Sequence, residues 1–243
     1  MQANSNEGKV ALVTGSTYGI GLAIAKRLVS DGFQVVTNGR TIPKQIVGSH
    51  HIRADLTILE EINELVSELR DKFGKIDVLV CNVGSGRQID QTSPEARWQH
   101  YLSINLFSPV LLIEALMTDA LLKKSKIIGI SSIASSTITS APIEYSSAKA
   151  ALNSYFKNMA FQYASAGNSF NLIALGNVLF PGSTWEEKLK SDKNTVNDFL
   201  ETKVPAKRFA TLDEIADVAS FVASTKCDFM TGSTITVDGG QSL

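Results

Sequence analysis

Two hydrophobic rhythms alternate along the chain. Short β-branched apolar runs are separated by stretches in which apolar residues recur every three or four positions, the repeat of an amphipathic helix. Lys9–Thr14 and Phe33–Asn38 are the first two runs, and between them Leu22, Ile24, Ala25, Leu28 and Val29 keep the helical repeat until Gly32 stops it. A shorter run lies around His51–Ala54, after which Leu59, Ile62, Leu65, Val66, Leu69 and Phe73 mark a helix closed by Gly74. Ile76–Cys81 is almost continuously apolar, as a strand covered on both faces requires. The pattern then predicts a helix from about Pro94 to Leu122, strands at Lys126–Ile130, Asn171–Leu175 and Ser233–Val237, and helices through Ala150–Tyr163 and Thr211–Ala223.

Alternation of this kind implies an α/β protein: a doubly wound, seven-stranded parallel sheet, the Rossmann fold, with helices on both faces and ligands at the carboxyl ends of the strands. No repeat, low-complexity tract or linker interrupts the order, so residues 1–243 are expected to form a single domain. One connection is longer than the rest. From about 176 to 205 the chain carries Phe180-Pro181-Gly182-Ser183-Thr184-Trp185 and then a mixed-charge helical segment, a candidate substrate lid.

Composition narrows the partners. The 243 residues carry a formal net charge of −1 with no block of like charge, which gives no electrostatic footprint for nucleic acid or an anionic membrane. No apolar run is expected to reach bilayer length. Cys81 and Cys227 are distant and form no Cys-x-x-Cys pair, so reduced thiols and a cytoplasmic setting are expected. The three histidines form no metal motif, and no metal site is expected. A small molecule is the partner that remains.

Candidate chemistry lies at strand ends. Gly15-Ser-Thr-Tyr-Gly19-Ile-Gly21 stands between the first strand and first helix, where glycine lets backbone N–H groups approach a phosphate and the helix end favours its charge. The second strand ends in Asn38-Gly39-Arg40-Thr41, without a carboxylate for a ribose 2′-hydroxyl; Arg40 offers a planar fork to a 2′-phosphate instead. Asn82-Val83-Gly84 follows the fourth strand, and Asn105 is a buried amide that needs partners. Ser132 closes the fifth strand, and Tyr145 and Lys149, four apart, share one helix face. Together these three make a proton-transfer device, with the cation bringing the phenol closer to a usable pKa.

Taken in order, Thr14-Gly15-x-x-x-Gly19-Ile20-Gly21, Asp55-Leu56, Asn82-x-Gly84, Asn105, Ser132 with Tyr145-x-x-x-Lys149, and Val237-Asp238-Gly239-Gly240 resemble the short-chain dehydrogenase/reductase family, most closely its 3-oxoacyl-carrier-protein reductase-like branch. The resemblance implies an NADP(H)-dependent oxidoreductase interconverting a carbonyl and a secondary alcohol. It makes Tyr145 the acid/base, Ser132 the donor to the substrate oxygen, Lys149 the ribose-binding cation and Asn105 the anchor of a proton relay. It assigns the pyrophosphate to Gly15, Thr17, Tyr18, Gly19 and Ile20, the adenine to Asp55 and Leu56, its ribose to Asn82 and Gly84, and the carboxamide to the Val178 backbone. A homo-oligomer, tetramer or dimer, is implied as well. NAD(H) is possible, as in a sugar or sugar-nucleotide dehydrogenase, and a non-catalytic nucleotide-binding regulator on this fold is the other alternative. Three departures stand out: Val83 adds bulk in the Asn82 turn, Leu175-Gly176 replaces the family's Pro-Gly, and Tyr18 stands where many NADP-preferring members have a basic residue, leaving Arg40 as the one clear 2′-phosphate donor.

Overall fold

The computed structural model describes residues 6–43, 48, 50–90 and 93–243. Its strands are β1 (Val10–Val13), β2 (Gln34–Gly39), β3 (His50–Arg53), β4 (Val78–Cys81), β5 (Lys126–Ser132), β6 (Ser169–Leu175) and β7 (Thr234–Val237). Its α-helices are α1 (Gly19–Ser30), α2 (Leu59–Phe73), α3 (Pro94–Leu102), α4 (Ser108–Thr118), α5 (Ile143–Tyr163), α6 (Thr184–Ser191), α7 (Lys193–Lys203) and α8 (Leu212–Ala223). All the strand pairs are parallel, in the order β3-β2-β1-β4-β5-β6-β7. Central strands β1 and β4 are buried at every residue, whereas β7 at one edge alternates between exposed and half-buried positions. This is the doubly wound Rossmann arrangement that the sequence predicts.

The period of two in β1 divides the core. Val10 and Leu12 pack with Ile62, Leu65, Leu112 and Phe156 of α2, α4 and α5; Ala11 and Val13 pack with Ile24, Leu28, Ile215 and Ala219 of α1 and α8. Strand order reverses between β1 and β4, so the loops leaving these two strands diverge and open a crevice at their carboxyl ends. Every motif singled out in the sequence lies at or near that end of the sheet.

The expected helix from Pro94 to Leu122 is instead three pieces. A π-helical turn at Ser103–Phe107 separates α3 from α4, and α4 stops at Thr118. Ala120 adopts a left-handed conformation (φ 55°), the Ala120 and Leu121 amides close on Met117 and Leu116, and the Leu121 carbonyl accepts from Ile76. Residues 120–122 thus brace the approach to β4 rather than extend the helix. The run Pro94–Thr118 is also long and apolar enough to cross a membrane by length and composition, contrary to the expectation of no such stretch. In this fold α3 packs against α5 and α4 against α2, which covers part of that run. The long connection from 176 to 205 holds two helices, α6 and α7.

Candidate active site

The glycine turn is built by what crowds it. Gly15 and Gly19 have positive φ (59° and 57°), and a Cβ on Gly21 would stand 2.4 Å from the Gly15 carbonyl oxygen and 2.5 Å from Asn82 Nδ2. Only glycine lets α1 begin this close to the β1 and β4 ends. Asn82 fixes the same turn from below: its side-chain amide donates to the Thr14 and Gly15 carbonyls (3.0 and 3.1 Å), while its backbone N–H donates to Thr14 Oγ1 (3.0 Å). Tyr18, exposed, precedes α1, and no side chain caps that helix, so its first N–H groups remain available to an anion. Ile20 packs on the α1/α8 side of the core. Thr17 leans on Gly39, with its methyl 2.6 Å from where a Cβ there would stand. That contact carries the turn to the end of β2, where Arg40 is exposed.

Asp55 and Leu56 separate on inspection. Asp55 closes a turn onto Thr57 N and Oγ1 (3.0 and 2.7 Å) and remains partly exposed. The Leu56 side chain is buried in the core with Ile62 and Leu65, so only its backbone is on offer to a ligand.

On the other side of the crevice, β5 ends in Ser132 and α5 presents Tyr145 and Lys149. Ser132 Oγ accepts from the Ala134 N–H at 3.2 Å, and its hydroxyl lies near enough to the Tyr145 phenol to favour the phenolate. Lys149 is 4% exposed and donates from Nζ to the Ile130 carbonyl at 2.9 Å, with Nζ 5.9 Å from the Tyr145 ring centre. Burial pushes the Lys149 ammonium down to about 8. Cys81, buried nearby, is pushed up to about 12 by its own burial, so it stays a neutral thiol and supplies no counter-charge. Burial raises the Tyr145 phenol as well, and the Ser132 hydroxyl pulls the other way. The depression expected from Lys149 is therefore not present in the protein by itself.

Asn105 sits in the π-helical turn, fully buried. Its Oδ1 accepts from Ser85 N (3.0 Å) and its Nδ2 donates to the Ser85 and Tyr101 carbonyls (3.0 and 3.1 Å). It thereby fixes the loop leaving β4 against the site. A Cβ on Gly84 would meet Asn105 Oδ1 at 2.8 Å and Lys149 Nζ at 3.0 Å, and one on Gly86 would meet the Tyr145 ring at 3.3 Å. These absent side chains shape one wall.

Several contributors have weak sequence signals. Asn153, one further helical repeat beyond Tyr145 and Lys149, accepts from Ser131 Oγ (2.6 Å) and donates to Ser135 Oγ (2.8 Å), while Ser135 donates to the Ser132 carbonyl (2.6 Å). This network holds the Ser132 turn, and the spacing of four was its only trace. The opposite rim is a clasp: Arg87 grips Glu187 of α6 through two bonds (2.9 and 3.0 Å), and the Phe180 ring lies against Gly19, 2.7 Å from a Cβ position. Trp185 stacks on Phe199 and donates to Asn177. Trp185 is thus engaged in packing under the 176–205 segment rather than turned to the crevice. Val178 is buried and bridges Ala210, whose bonds engage Asn177 O and Leu179 N, leaving Val178's own N–H and carbonyl unpaired among the described residues.

The glycine turn, the uncapped start of α1 and the Val178 backbone offer free polar groups of the kind a dinucleotide would need at this end of the sheet, and the hydroxyl, phenol and ammonium of Ser132, Tyr145 and Lys149 lie at the same end. Comparison with known proteins agrees. The family model described as enoyl-(acyl carrier protein) reductase matches residues 15–242. The 3-oxoacyl-[acyl-carrier-protein] reductase FabG of Salmonella typhimurium is 32% identical over 248 aligned positions, covering 98% of this chain and 99% of that protein. Two solved structures, the Pseudomonas aeruginosa RhlG/NADP complex and L-sorbose reductase from Gluconobacter frateurii with NADPH and L-sorbose, superpose with TM-scores of 0.87 each at 27% identity. They cover 99% and 98% of this chain, and 98% of each of those chains. With motifs, sheet order and end-to-end similarity in agreement, the chain belongs to the short-chain dehydrogenase/reductase family of oxidoreductases.

Proposed function

We propose that the protein is an NADP(H)-dependent carbonyl reductase or alcohol dehydrogenase in which Tyr145 moves the proton. The observation that carries this reading is the convergence of Ser132, Tyr145 and Lys149 at the same end of the sheet as the glycine turn. A bound nicotinamide cofactor supplies or accepts the hydride. The remaining work falls to side chains. Ser132 donates a hydrogen bond to the substrate oxygen and fixes its distance from Tyr145. Tyr145 gives its proton to that oxygen during reduction and removes it during oxidation. Lys149, poised at about 8, is charged at neutral pH and shares its ammonium with a cofactor hydroxyl, which also favours the phenolate. Asn105 keeps the Gly84–Gly86 wall in register, and its loop positions any water that returns the proton to solvent.

For the cofactor, Gly15, Thr17, Tyr18, Gly19 and Ile20 are the proposed pyrophosphate turn, with Asp55, Asn82 and Gly84 around the adenosine half and the Val178 backbone on the carboxamide. Arg40 is the proposed contact to a 2′-phosphate, and the NADP and NADPH complexes among the structural neighbours support that preference. Residues 1–243 act as one domain in this reading, and residues 176–205 act as a lid closed by the Arg87–Glu187 clasp. The substrate is a small carbonyl compound or its alcohol; relatives named for acyl thioesters and for a ketose frame the classes to screen. Two free cysteines suit a cytoplasmic setting, and exposed Phe161 and Phe229 suit self-association as a dimer or tetramer. A non-catalytic nucleotide sensor would need none of the three converging side chains.

The test is Tyr145→Phe. It is expected to bind NADPH as the wild type does and to lose turnover of an activated diketone by orders of magnitude. Unchanged turnover refutes the role.

A further inference from the structure

The edge of the sheet beyond the adenosine side holds a second guanidinium that the sequence did not single out. Arg53 ends β3 and is paired in register with Gly39, the residue before Arg40. Its Nε donates to the Arg40 carbonyl at 3.1 Å. Two residues earlier, His51 meets the Thr41 carbonyl through Nε2 at 3.1 Å. Alternate residues of one strand thus occupy consecutive carbonyls of the turn that carries Arg40. Both are oxygens that would repel a phosphate. Asn38, 1% exposed, locks the two strand ends together by donating to the Ile52 and Ala54 carbonyls, each at 3.2 Å.

The result is two guanidiniums at one exposed edge with little to balance them. Arg40 has Asp55 at 4.0 Å, the limit of an ion pair, and the terminal nitrogens of Arg53 have no partner among the described residues. Adjacent like charges are unfavourable unless an anion sits between or beside them. A 2′-phosphate, carrying close to two negative charges near neutral pH and three acceptor oxygens, has the chemistry to do so. A ribose 2′-hydroxyl does not.

We propose that Arg53 is a second specificity-determining residue for the dinucleotide, binding the 2′-phosphate alongside Arg40 while its Nε holds the Arg40 turn in place. The proposal rests on the NADP(H) reading above and extends it to a residue two strands from the glycine turn. A solvated arginine that merely caps a carbonyl is the competing description, and it predicts no discrimination between cofactors.

Isothermal titration of wild type, Arg53→Gln and Arg40→Gln with NADPH, NADH and 2′,5′-ADP separates these cases without turnover. Arg53→Gln is expected to weaken 2′,5′-ADP and NADPH at least tenfold, to leave NADH within twofold, and to flatten the salt dependence of NADPH binding. An unchanged NADPH/NADH ratio in Arg53→Gln, with the wild-type preference for NADPH intact, overturns the role of Arg53 alone. Equal weakening of both cofactors also overturns it, because the side chain would then act only by shaping the turn. Wild-type protein that binds NADH as tightly as NADPH overturns the cofactor reading itself. Equal melting temperatures of the variants, both altered at exposed positions, exclude loss of folding as the cause.

Discussion

Lys149 offers a prediction that separates the site's electrostatics from its activity. Its ammonium is 4% exposed, has the Ile130 carbonyl as its acceptor, and is pushed from an ordinary 10.5 to about 8 by burial. At about 1.4 kcal/mol for each tenfold change in proton affinity, lowering Lys149 from 10.5 to about 8 means that folding disfavours the charged form by about 3 to 4 kcal/mol. The sign follows from proton counting. Between about pH 8 and 10.5 the unfolded chain keeps this proton and the folded chain has released it, so stability attributable to Lys149 rises with pH across that window and is flat below it. Other groups titrate there too: Cys81 and Tyr145 are raised by burial and push stability the other way. Comparison with Lys149→Met largely removes their contribution. Replacing the amine also leaves the Ile130 carbonyl unpaired, a pH-independent cost of about 1–3 kcal/mol. The stability of wild type minus that of Lys149→Met, from urea unfolding at pH 7.5, 9 and 10.5, is therefore expected to climb by about 3 kcal/mol, whatever its offset. The variant is expected to equal or exceed the wild type in stability at pH 7.5 while losing turnover. A difference that stays constant with pH would refute the argument that the buried ammonium is held against its own desolvation.

Two further outcomes follow from the geometry. Gly21→Ala places a Cβ 2.4 Å from a backbone carbonyl that cannot move aside, so it is expected to cost about 1–3 kcal/mol by chemical denaturation and to weaken dinucleotide binding; wild-type values for both would mean that the turn is more compliant than its contacts imply. Asn105→Leu strips three hydrogen bonds from buried or half-buried groups of the β4 loop and α3, with an expected loss of about 2–4 kcal/mol and faster hydrogen exchange at Ser85; protection equal to wild type would show that the amide does not hold that loop.

How much could be read beforehand differs by type of interaction. Strand and helix order was legible because burial on two faces makes β1 and β4 continuously apolar and β5 and β6 largely so, while α2 and α8 keep a period near 3.6. The π-helical turn was not, since Ser103–Phe107 continues the apolar rhythm and the irregularity serves Asn105's bonds to a loop some twenty residues away. Leu56 was placed beside a ligand by its motif, yet its side chain packs under α2.

By itself the sequence determined the elements, the parallel winding, the glycine turn and the placing of Tyr145 and Lys149 on one helix face, because these depend on local periodicity, backbone freedom and the spacing of a helix. The tertiary structure decided what those groups experience. It buried Lys149 near a neutral thiol with the Ile130 carbonyl as its acceptor, fastened Arg87 to Glu187 across 100 positions, and set Arg53 beside the Arg40 backbone. Charge, desolvation and close approach between distant segments depend on distances that no one-dimensional pattern records, and they are what turn a set of motifs into a site.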